Sequence, residues 1–508
     1  MDARDHHTEP AASRGRVLLV FPPAFFRLAS GHLPNAGMEL PYTFPPLGLL
    51  YLGTILGRAG FAVEVIDFAG EPYRPERLLA AARRADLVGF SVVRNNRDKV
   101  AALIDALVAA GVRRPIIVGG PDVTLRPMLF AHTVATVIGE AELSIVDIVE
   151  RILRGGDLAE AHGVLFRDQA TGEERTGLPP VLPTALDDIP VPDRNLCERD
   201  HYSLFGARQR GKTAVVITSR GCPFRCSFCS RIALTQNTYR VRSPASVLSE
   251  LETLHREGYR FLFFGDNNFL LDRKRVLAIL DGIIAAGFDF RIVVAGRVDA
   301  ADRELFARLR QAGVFLLSMG LESMVQSSLD FLNKGTTVER NARAVRLAHE
   351  AGLFVHANFI FGCKDETEAD VLATRRYVLD LPLDSIFVNV LSYQYGSALW
   401  ADAHERGLIA DGELNKTATA EHGLCRLPEA RLRRVLKELL LGFFFRPSYW
   451  ARLARKSART GDYDFMRLVA GLCGKYLLAE ARNTLRRQAA NVQAVFAWPK
   501  SRGREERA

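Results

Sequence analysis

The sequence predicts an α/β protein in three parts: an N-terminal doubly wound parallel sheet, a barrel or partial barrel of six strand–helix units, and a helical C-terminal segment. Three observations carry this. Residues 15–155 alternate apolar, strand-like runs with helical patterns. Residues 211–425 alternate again, through six strands that each end in polar residues. Beyond residue 426 the apolar positions recur at helical spacing.

The gross numbers agree. A chain of 508 residues suggests about three domains at ~150 residues each. It is 48% hydrophobic and 25% charged, ordinary for a protein with large cores. Met1 to Arg14 is polar, so neither a signal peptide nor order is expected there, and His6 and His7 carry no weight. No apolar run reaches the ~18 residues that a membrane helix needs. Seven cysteines, three of them clustered, suit a reducing cytoplasm better than a disulfide framework. The formal charge of +9 is uneven: residues 431–508 hold 18 Lys/Arg against 6 Asp/Glu, a net of +12. That segment could meet nucleic acid, anionic lipid or an acidic protein. A solvated helical face is the simpler expectation.

In the first part, strands are expected at Arg16 to Phe21, Ala62 to Asp67, Asp86 to Ser91, Pro115 to Val118 and Thr136 to Ile138. Helices are expected at Leu47 to Leu56 (behind Pro45-Pro46), Asp98 to Ala110 and Ser144 to Arg154. Doubly wound sheets bind ligands at the carboxyl ends of their strands. Three turns stand there: Ser91 to Asn96, Gly119-Gly120-Pro121-Asp122, and Gly139-Glu140-Ala141-Glu142. No G-x-G-x-x-G follows the first strand, which argues against a dinucleotide. Residues 156–210 read as a linker, with a hairpin near Gly163 to Phe166 and then prolines at 179, 180, 183, 190 and 192.

The barrel strands are expected at Ala214 to Thr218, Phe261 to Phe264, Arg291 to Ala295, Val314 to Met319, Phe354 to Phe361 and Ser385 to Leu391. The helices between them are Ser246 to Leu254, Arg273 to Ala286, Leu305 to Gln311, Val338 to Ala351 and Ala369 to Leu379. The stretch that organises the chain leaves the first of these strands: Gly221-Cys222-Pro223-Phe224-Arg225-Cys226-Ser227-Phe228-Cys229. Three thiolates from one short loop suit an iron–sulfur cluster with one iron left open. A structural zinc wants four closed ligands. The neighbouring histidines, His201 and His255, lie far along the chain, so zinc or three buried cysteines are the weaker readings.

This spacing, with an aromatic just before the third cysteine, resembles the radical SAM superfamily. The resemblance implies a partial barrel of six units and a [4Fe-4S] cluster on Cys222, Cys226 and Cys229. The open iron would chelate S-adenosylmethionine (SAM), and cleavage there would release a 5′-deoxyadenosyl radical. It further implies SAM contacts at the strand ends. Phe228 would pack on adenine. Gly265 and Asp266 would accept from the ammonium, although the usual G-G-E reads Gly-Asp-Asn-Asn here. Arg297 would pair with the SAM carboxylate. Glu322 would take the ribose or the amino group. Asn358, Ile360, Gly362 and Asp365 fall on an adenine-binding G-x-I-x-G-x-x-E pattern, with Glu366 one step away. Cys363, on the same face, is more simply a small core residue, and Tyr393 and Tyr395 are better placed as pocket walls.

The first part resembles the cobalamin-binding domain found ahead of many radical SAM cores. The stretches PPLGLLYLGTIL, DLVGFS, IIVGGPDVTLRP and GEAEL carry the likeness. It implies cobalamin contacts at Ser91, Gly119, Gly120, Gly139 and Glu140. The D-x-H-x-x-G loop that ligates cobalt is absent, and His32 has the wrong neighbours, so no histidine is expected below cobalt.

In the last part, Leu432, Val435, Leu439 and Leu440 mark one helix, and a second is expected over Tyr463 to Asn483. Similar tails occur in cobalamin-dependent radical SAM enzymes, so this one is expected to cap the barrel or line a substrate pocket. Residues 500–508 are expected to be disordered. The whole resemblance implies a methyltransferase of an unactivated carbon in a small natural-product substrate, served by an electron donor such as flavodoxin or ferredoxin. Alternatives are cyclisation, rearrangement or oxidation on the same architecture, and an iron–sulfur RNA-modifying protein. The basic tail also leaves peripheral membrane contact open.

Overall fold

The structure is a computed structural model that describes residues 14–22, 44–68, 73–94, 96–168, 170–197, 202 and 212–478. The expectations for residues 1–13, His32, Asn95, His201 and the chain beyond 478 lie outside the described residues.

The N-terminal sheet is built on β1 (Arg16–Phe21), β2 (Ala62–Asp67), β3 (Leu87–Ser91), β4 (Ile116–Gly119) and β5 (Ala135–Val137), all parallel, in the order β2-β1-β3-β4-β5. Val17, Leu18, Leu19 and Val20 of β1 are all buried because helices cover both faces. The order reverses between β1 and β3, the switch point at which such sheets offer a crevice. A helix at Pro75–Arg84 escaped the sequence reading; its Ala-rich run has only a narrow apolar stripe, at Leu78, Ala81 and Ala82. The hairpin assigned to the linker joins this sheet instead. Strands β6 (Val164–Arg167) and β7 (Glu174–Thr176) extend it antiparallel from β5.

The proline-rich stretch that follows is a fixed strap. Asp193 N donates to Thr54 Oγ1 at 2.7 Å, on the helix Leu47–Arg58. Arg194, buried, donates to Val215 O at 3.0 Å and pairs with Glu250 at 2.5 Å. Asp187 accepts from Ser243 N at 2.9 Å. The strap therefore bonds to both α/β units.

The second unit holds β8 (Lys212–Val216), the hairpin strands β9 (Ser219–Gly221) and β10 (Tyr239–Val241), and then β11 (Tyr259–Phe264), β12 (Arg291–Gly296), β13 (Val314–Glu322), β14 (Phe354–Phe361) and β15 (Ser385–Val390). Six of these form a parallel sheet in chain order, β8-β11-β12-β13-β14-β15. Its ends are β8 and β15, so the barrel is partial. The long helix of each crossover starts on a side-chain cap: Ser243, Asp272, Asp302, Thr337 and Thr367 accept from backbone N–H groups in the first turn. Past β15, a two-stranded pair, β16 (Ser392–Gln394) with β17 (Asn415–Thr417), and a helix at Ala398–Glu405 lie over the carboxyl ends of the strands.

The C-terminal helices take the first of the two expected places: they cap the barrel. Helix Glu429–Phe444 packs along β15 and the helix Glu368–Asp380. Helix Pro447–Thr460 and the helical residues 464–478 cover the amino ends of the barrel strands, opposite the cysteine loop. The contacts fix this. Lys456 pairs with Asp384 at 2.5 Å just before β15, Asp462 with Arg291 at 2.6 Å at the start of β12, and Phe465 stacks on Phe354 at the start of β14. These helices share the barrel's apolar core through Leu453, Phe465 and Val469. They plug the floor and do not line a pocket at the cysteine face. Part of the basic charge is occupied there. Arg446, Arg452 and Arg459 donate to the carbonyls of Leu379, Leu383 and His349, at or near helix C-termini whose carbonyls lack intrahelical partners.

Candidate active site

The cysteine loop is a closed excursion between β9 and β10. Its neck is pinched at Gly221, where φ is +89° and a Cβ would lie 1.9 Å from Thr238 O, so only glycine fits. Cys226 is buried, and Cys222 and Cys229 are half-buried. One backbone and one side-chain bond seat the loop on the turn after the helix Gln326–Phe331: Ser227 N donates to Leu332 O at 3.0 Å and Asn333 Nδ2 to Arg225 O at 2.7 Å. From above, Leu399 N donates to Ser227 O at 3.0 Å. Among the described residues no three His, Cys, Asp or Glu groups gather around a single ion. Three thiolates from one loop are the donor set of a cluster that keeps one iron open.

Arg297 and Glu322 come together beside this loop, as expected of one site. Their partners are a surprise. Arg297 lies under the loop, 3.7 Å from the Phe224 ring centre, with Nη1 3.5 Å from Cys226 Sγ. Its fork is closed by Asp299 at 2.6–2.7 Å and by the Lys334 carbonyl. The bidentate pairing expected with a ligand carboxylate is thus taken up by the protein, and Arg297 braces the loop. Lys334, which no sequence signal singled out, pairs with Glu322 at 2.8 Å, both side chains buried. That pair crosses Gly320, where a Cβ would lie 2.3 Å from Glu322 Oε1. Glu322 itself has φ +63°, at a bulge between β13 and β14. Burial pushes the Cys226 thiol up, while Lys334 and Arg297 pull it back towards thiolate.

Asp266 departs further from expectation. Its carboxylate is buried and turned back onto the end of β8. It accepts from Thr218 N at 2.7 Å, Thr218 Oγ1 at 2.5 Å and Ser219 Oγ at 2.6 Å, with Arg275 at 4.0 Å. It ties the root of the cysteine hairpin to β11 and does not face a ligand. Gly265 lies under Ile217 and Val215, its Cβ position 2.9 Å from Ile217 Cδ1.

At the fifth strand end, Ile360 and Phe228 belong to one apolar cluster with Leu332 and Cys363. Asn358 donates weakly to Ser318 Oγ at 3.3 Å inside the barrel. Asp365 is exposed and 3.6 Å from Arg426. The buried carboxylate here is Glu366, which accepts from Gly362 N at 2.5 Å and closes the turn. Its backbone reach, and not its place in the motif, decides this. Burial lifts Glu366 to about 7. Cys363 is fully buried, and burial followed by Glu366 pushes its thiol well up, which fits a core residue. Tyr393 is buried and donates to His422 O at 3.1 Å, while Tyr395 packs edge-on against Trp400.

The cobalamin candidates line the carboxyl edge of the N-terminal sheet, and that edge faces the cysteine loop. The helix Pro121–Leu125, directly after Gly119-Gly120, packs on the helix Arg231–Thr235 behind Cys229. Leu125 also touches Gly396. Small residues at Ser91, Gly119 and Gly139 leave this edge without bulk, which fits a broad planar ligand. Two glycines have internal reasons as well. Gly120 (φ +114°) passes Val92, whose carbonyl would lie 2.6 Å from a Cβ, and Gly139 (φ +84°) passes Pro180 at 3.0 Å. Glu140 does not point at an open edge. It is held by Arg220 at 2.7 Å and by Arg240, both from the cysteine hairpin. Burial would raise its pKa, but those two arginines outweigh it and hold the carboxyl low.

Comparison with known proteins follows this division. Residues 216–378 match the family described as the Radical SAM superfamily, and residues 36–149 match the B12 binding domain. An uncharacterized methyltransferase of Pyrococcus horikoshii is 28% identical over 447 residues, covering 85% of this chain and 93% of that one. The anaerobic magnesium-protoporphyrin IX monomethyl ester cyclase of Cereibacter sphaeroides is 30% identical over 365 residues, 68% of this chain and 58% of that one. Among solved structures, the radical S-adenosylmethionine methyltransferase TsrM from Kitasatospora setae, with cobalamin and a [4Fe-4S] cluster bound, superposes with a TM-score of 0.62 at 20% identity, covering 85% and 82% of the two chains. That likeness is one of fold.

Proposed function

We infer, from a chain that belongs to the radical SAM superfamily and carries a B12-binding domain, that this enzyme methylates an unactivated carbon of a small molecule. The family models imply the cofactors: a [4Fe-4S] cluster, S-adenosylmethionine and cobalamin. When bound, they supply reductive cleavage of the sulfonium and a methyl carrier. The observation that carries the reading is the meeting of two faces. The carboxyl edge of the N-terminal sheet and the cysteine loop lie against each other, joined by Glu140–Arg220 and by the packed helices Pro121–Leu125 and Arg231–Thr235.

In this reading Cys222, Cys226 and Cys229 hold the cluster. Lys334, whose ammonium keeps donors beyond its bond to Glu322, meets the carboxylate of SAM, and Glu322 meets its amino or ribose groups. Phe228 and Ile360 flank the adenine, with Asn358 and the Gly265 backbone as further polar contacts. Asp266, Arg297 and Glu366 hold these groups in place. Ser91, Gly119, Gly120 and Gly139 bound the cobalamin site. The corrinoid unit runs from residue 15 through the hairpin ending at Thr176, followed by the strap to Cys197, the radical core from Lys212 to 425 and the helical plug from 426 to the last described residue, 478. Residues 391–425 roof the core and exclude water. We place the enzyme in the cytoplasm, with a flavodoxin- or ferredoxin-like donor. No helix among the described residues is long and apolar enough to cross a membrane.

The cyclase among the relatives favours a second reading, ring formation without methyl transfer. Anaerobic turnover with reductant, cobalamin and SAM separates the two. S-adenosylhomocysteine alongside 5′-deoxyadenosine supports methylation; 5′-deoxyadenosine alone supports cyclisation or oxidation.

A further inference from the structure

The geometry points to a clamp in which Glu140 and Glu142 of the corrinoid unit grip Arg220 and Arg240 and so set where the cysteine loop sits. The proposal rests on the functional reading above but concerns positioning residues of this chain. Arg220 and Arg240 are direct cross-strand partners in the β9–β10 pair. Every residue of the cysteine loop lies between them in sequence. Arg220 Nη1 reaches Glu140 at 2.7 Å and its Nη2 reaches Glu142 at 2.7 Å. Its guanidinium also lies 5.3 Å over the ring of Tyr51, from the helix Leu47–Arg58. Arg240 bonds the same Glu140 (Nη1 at 3.0 Å) and, through Nη1, the Pro183 carbonyl of the strap at 2.7 Å. The charged ends of Arg220, Glu140 and Arg240 are mostly withdrawn from solvent, at 16%, 20% and 8% exposure.

Such charge-assisted forks are directional as well as strong. Their placement gives them a purpose beyond stability. Glu140 follows β5 by three residues, at the edge where the corrin is expected. Arg220 precedes Cys222 by two. Gly221 between them is locked by the Thr238 carbonyl, so little slack separates the clamp from the first cluster ligand. The carboxylate that sequence resemblance assigned to cobalamin is therefore the bolt between the cofactor units.

The test uses the full, cluster-reconstituted chain in Glu140→Gln/Glu142→Gln form, with hydroxocobalamin as the probe. Two readouts are followed: hydrogen exchange of the amides in residues 222–238, and the relaxation of the Co(II) cobalamin EPR signal by the reduced cluster. The expected result is severalfold faster exchange in the loop and weaker spin coupling, with cobalamin retained at the wild-type ratio. Arg240→Lys, which keeps the charge and loses the fork, is the milder variant and shifts both in the same direction by less. Unchanged exchange and unchanged coupling in the folded variants overturn the clamp. So does loss of cobalamin with an unperturbed loop, which would return Glu140 to the corrin site. A wild type that takes up no cobalamin would defeat the functional reading instead. The exchange readout then still decides the clamp.

Discussion

Replacing Asp266 by asparagine separates an architectural carboxylate from a ligand-binding one. In the structure Asp266 is 3% exposed and accepts three hydrogen bonds, from Thr218 N, Thr218 Oγ1 and Ser219 Oγ. An amide keeps one oxygen, which suffices for the Thr218 N–H. The two hydroxyl donors then face an NH2 group. Two lost bonds to a charged acceptor are worth about 1.5–3 kcal/mol each, and relief of the buried charge returns part of that. The net loss is about 2–4 kcal/mol. For a unit of this size that lowers the unfolding midpoint by roughly 4–16 °C, at about 2–4 °C per kcal/mol. The assay is thermal unfolding of the reconstituted protein, paired with a SAM titration well below the midpoint. The midpoint should fall while SAM affinity in the folded protein stays within about twofold, since 0.4 kcal/mol is the scale of an indirect effect. An unchanged midpoint with SAM affinity reduced tenfold or more would return Asp266 to the SAM ammonium.

Other expectations are more local. Gly221→Ala puts a Cβ 1.9 Å from Thr238 O at φ +89°, so the hairpin neck must open, and iron bound after reconstitution should drop severalfold by colorimetric assay. Glu366, buried and lifted from 4.5 to about 7, binds more protons folded than unfolded. Its contribution is therefore fully present below pH 4.5 and lost as pH rises through 7. The difference is about 3 kcal/mol. Glu366→Gln should remove this slope from denaturation curves between those pH values; an unaltered slope would contradict the assignment. Lys456→Met leaves the Asp384 carboxylate, 1% exposed, without its cation, which should cost about 3–5 kcal/mol in unfolding experiments without altering iron content.

The layers of this molecule were unequally legible. The cysteine spacing and the apolar strands spoke directly, because ligand chemistry and burial act through local sequence: all six barrel strands and all five parallel strands of the first sheet lie where the apolar runs are. The helix Pro447–Thr460 was not legible, since its arginines read as a solvated face although two of them, Arg452 and Arg459, donate to carbonyls of the barrel floor, as does Arg446 just before it. Partner choice was hidden as well. Asp266 and Glu140 stand at positions where a ligand-facing carboxylate was expected, yet Thr218 and Arg220, 48 and 80 residues away, claim them. Lys334 carried no motif at all. Its signal, a lysine in Asn333-Lys334-Gly335 before a helix cap, becomes meaningful only once the fold sets it beside Cys226.

If the radical made at Cys222, Cys226 and Cys229 serves methyl transfer, the methyl of SAM must reach a product. Anaerobic incubation of the reconstituted enzyme with cobalamin, reductant, SAM deuterated in its methyl group and a cellular small-molecule extract, followed by mass spectrometry, decides this. The expected product carries the intact trideuteromethyl group, is formed with both S-adenosylhomocysteine and 5′-deoxyadenosine, and is lost when Cys226 is replaced by serine. Formation of 5′-deoxyadenosine with no labelled product and no S-adenosylhomocysteine would contradict it.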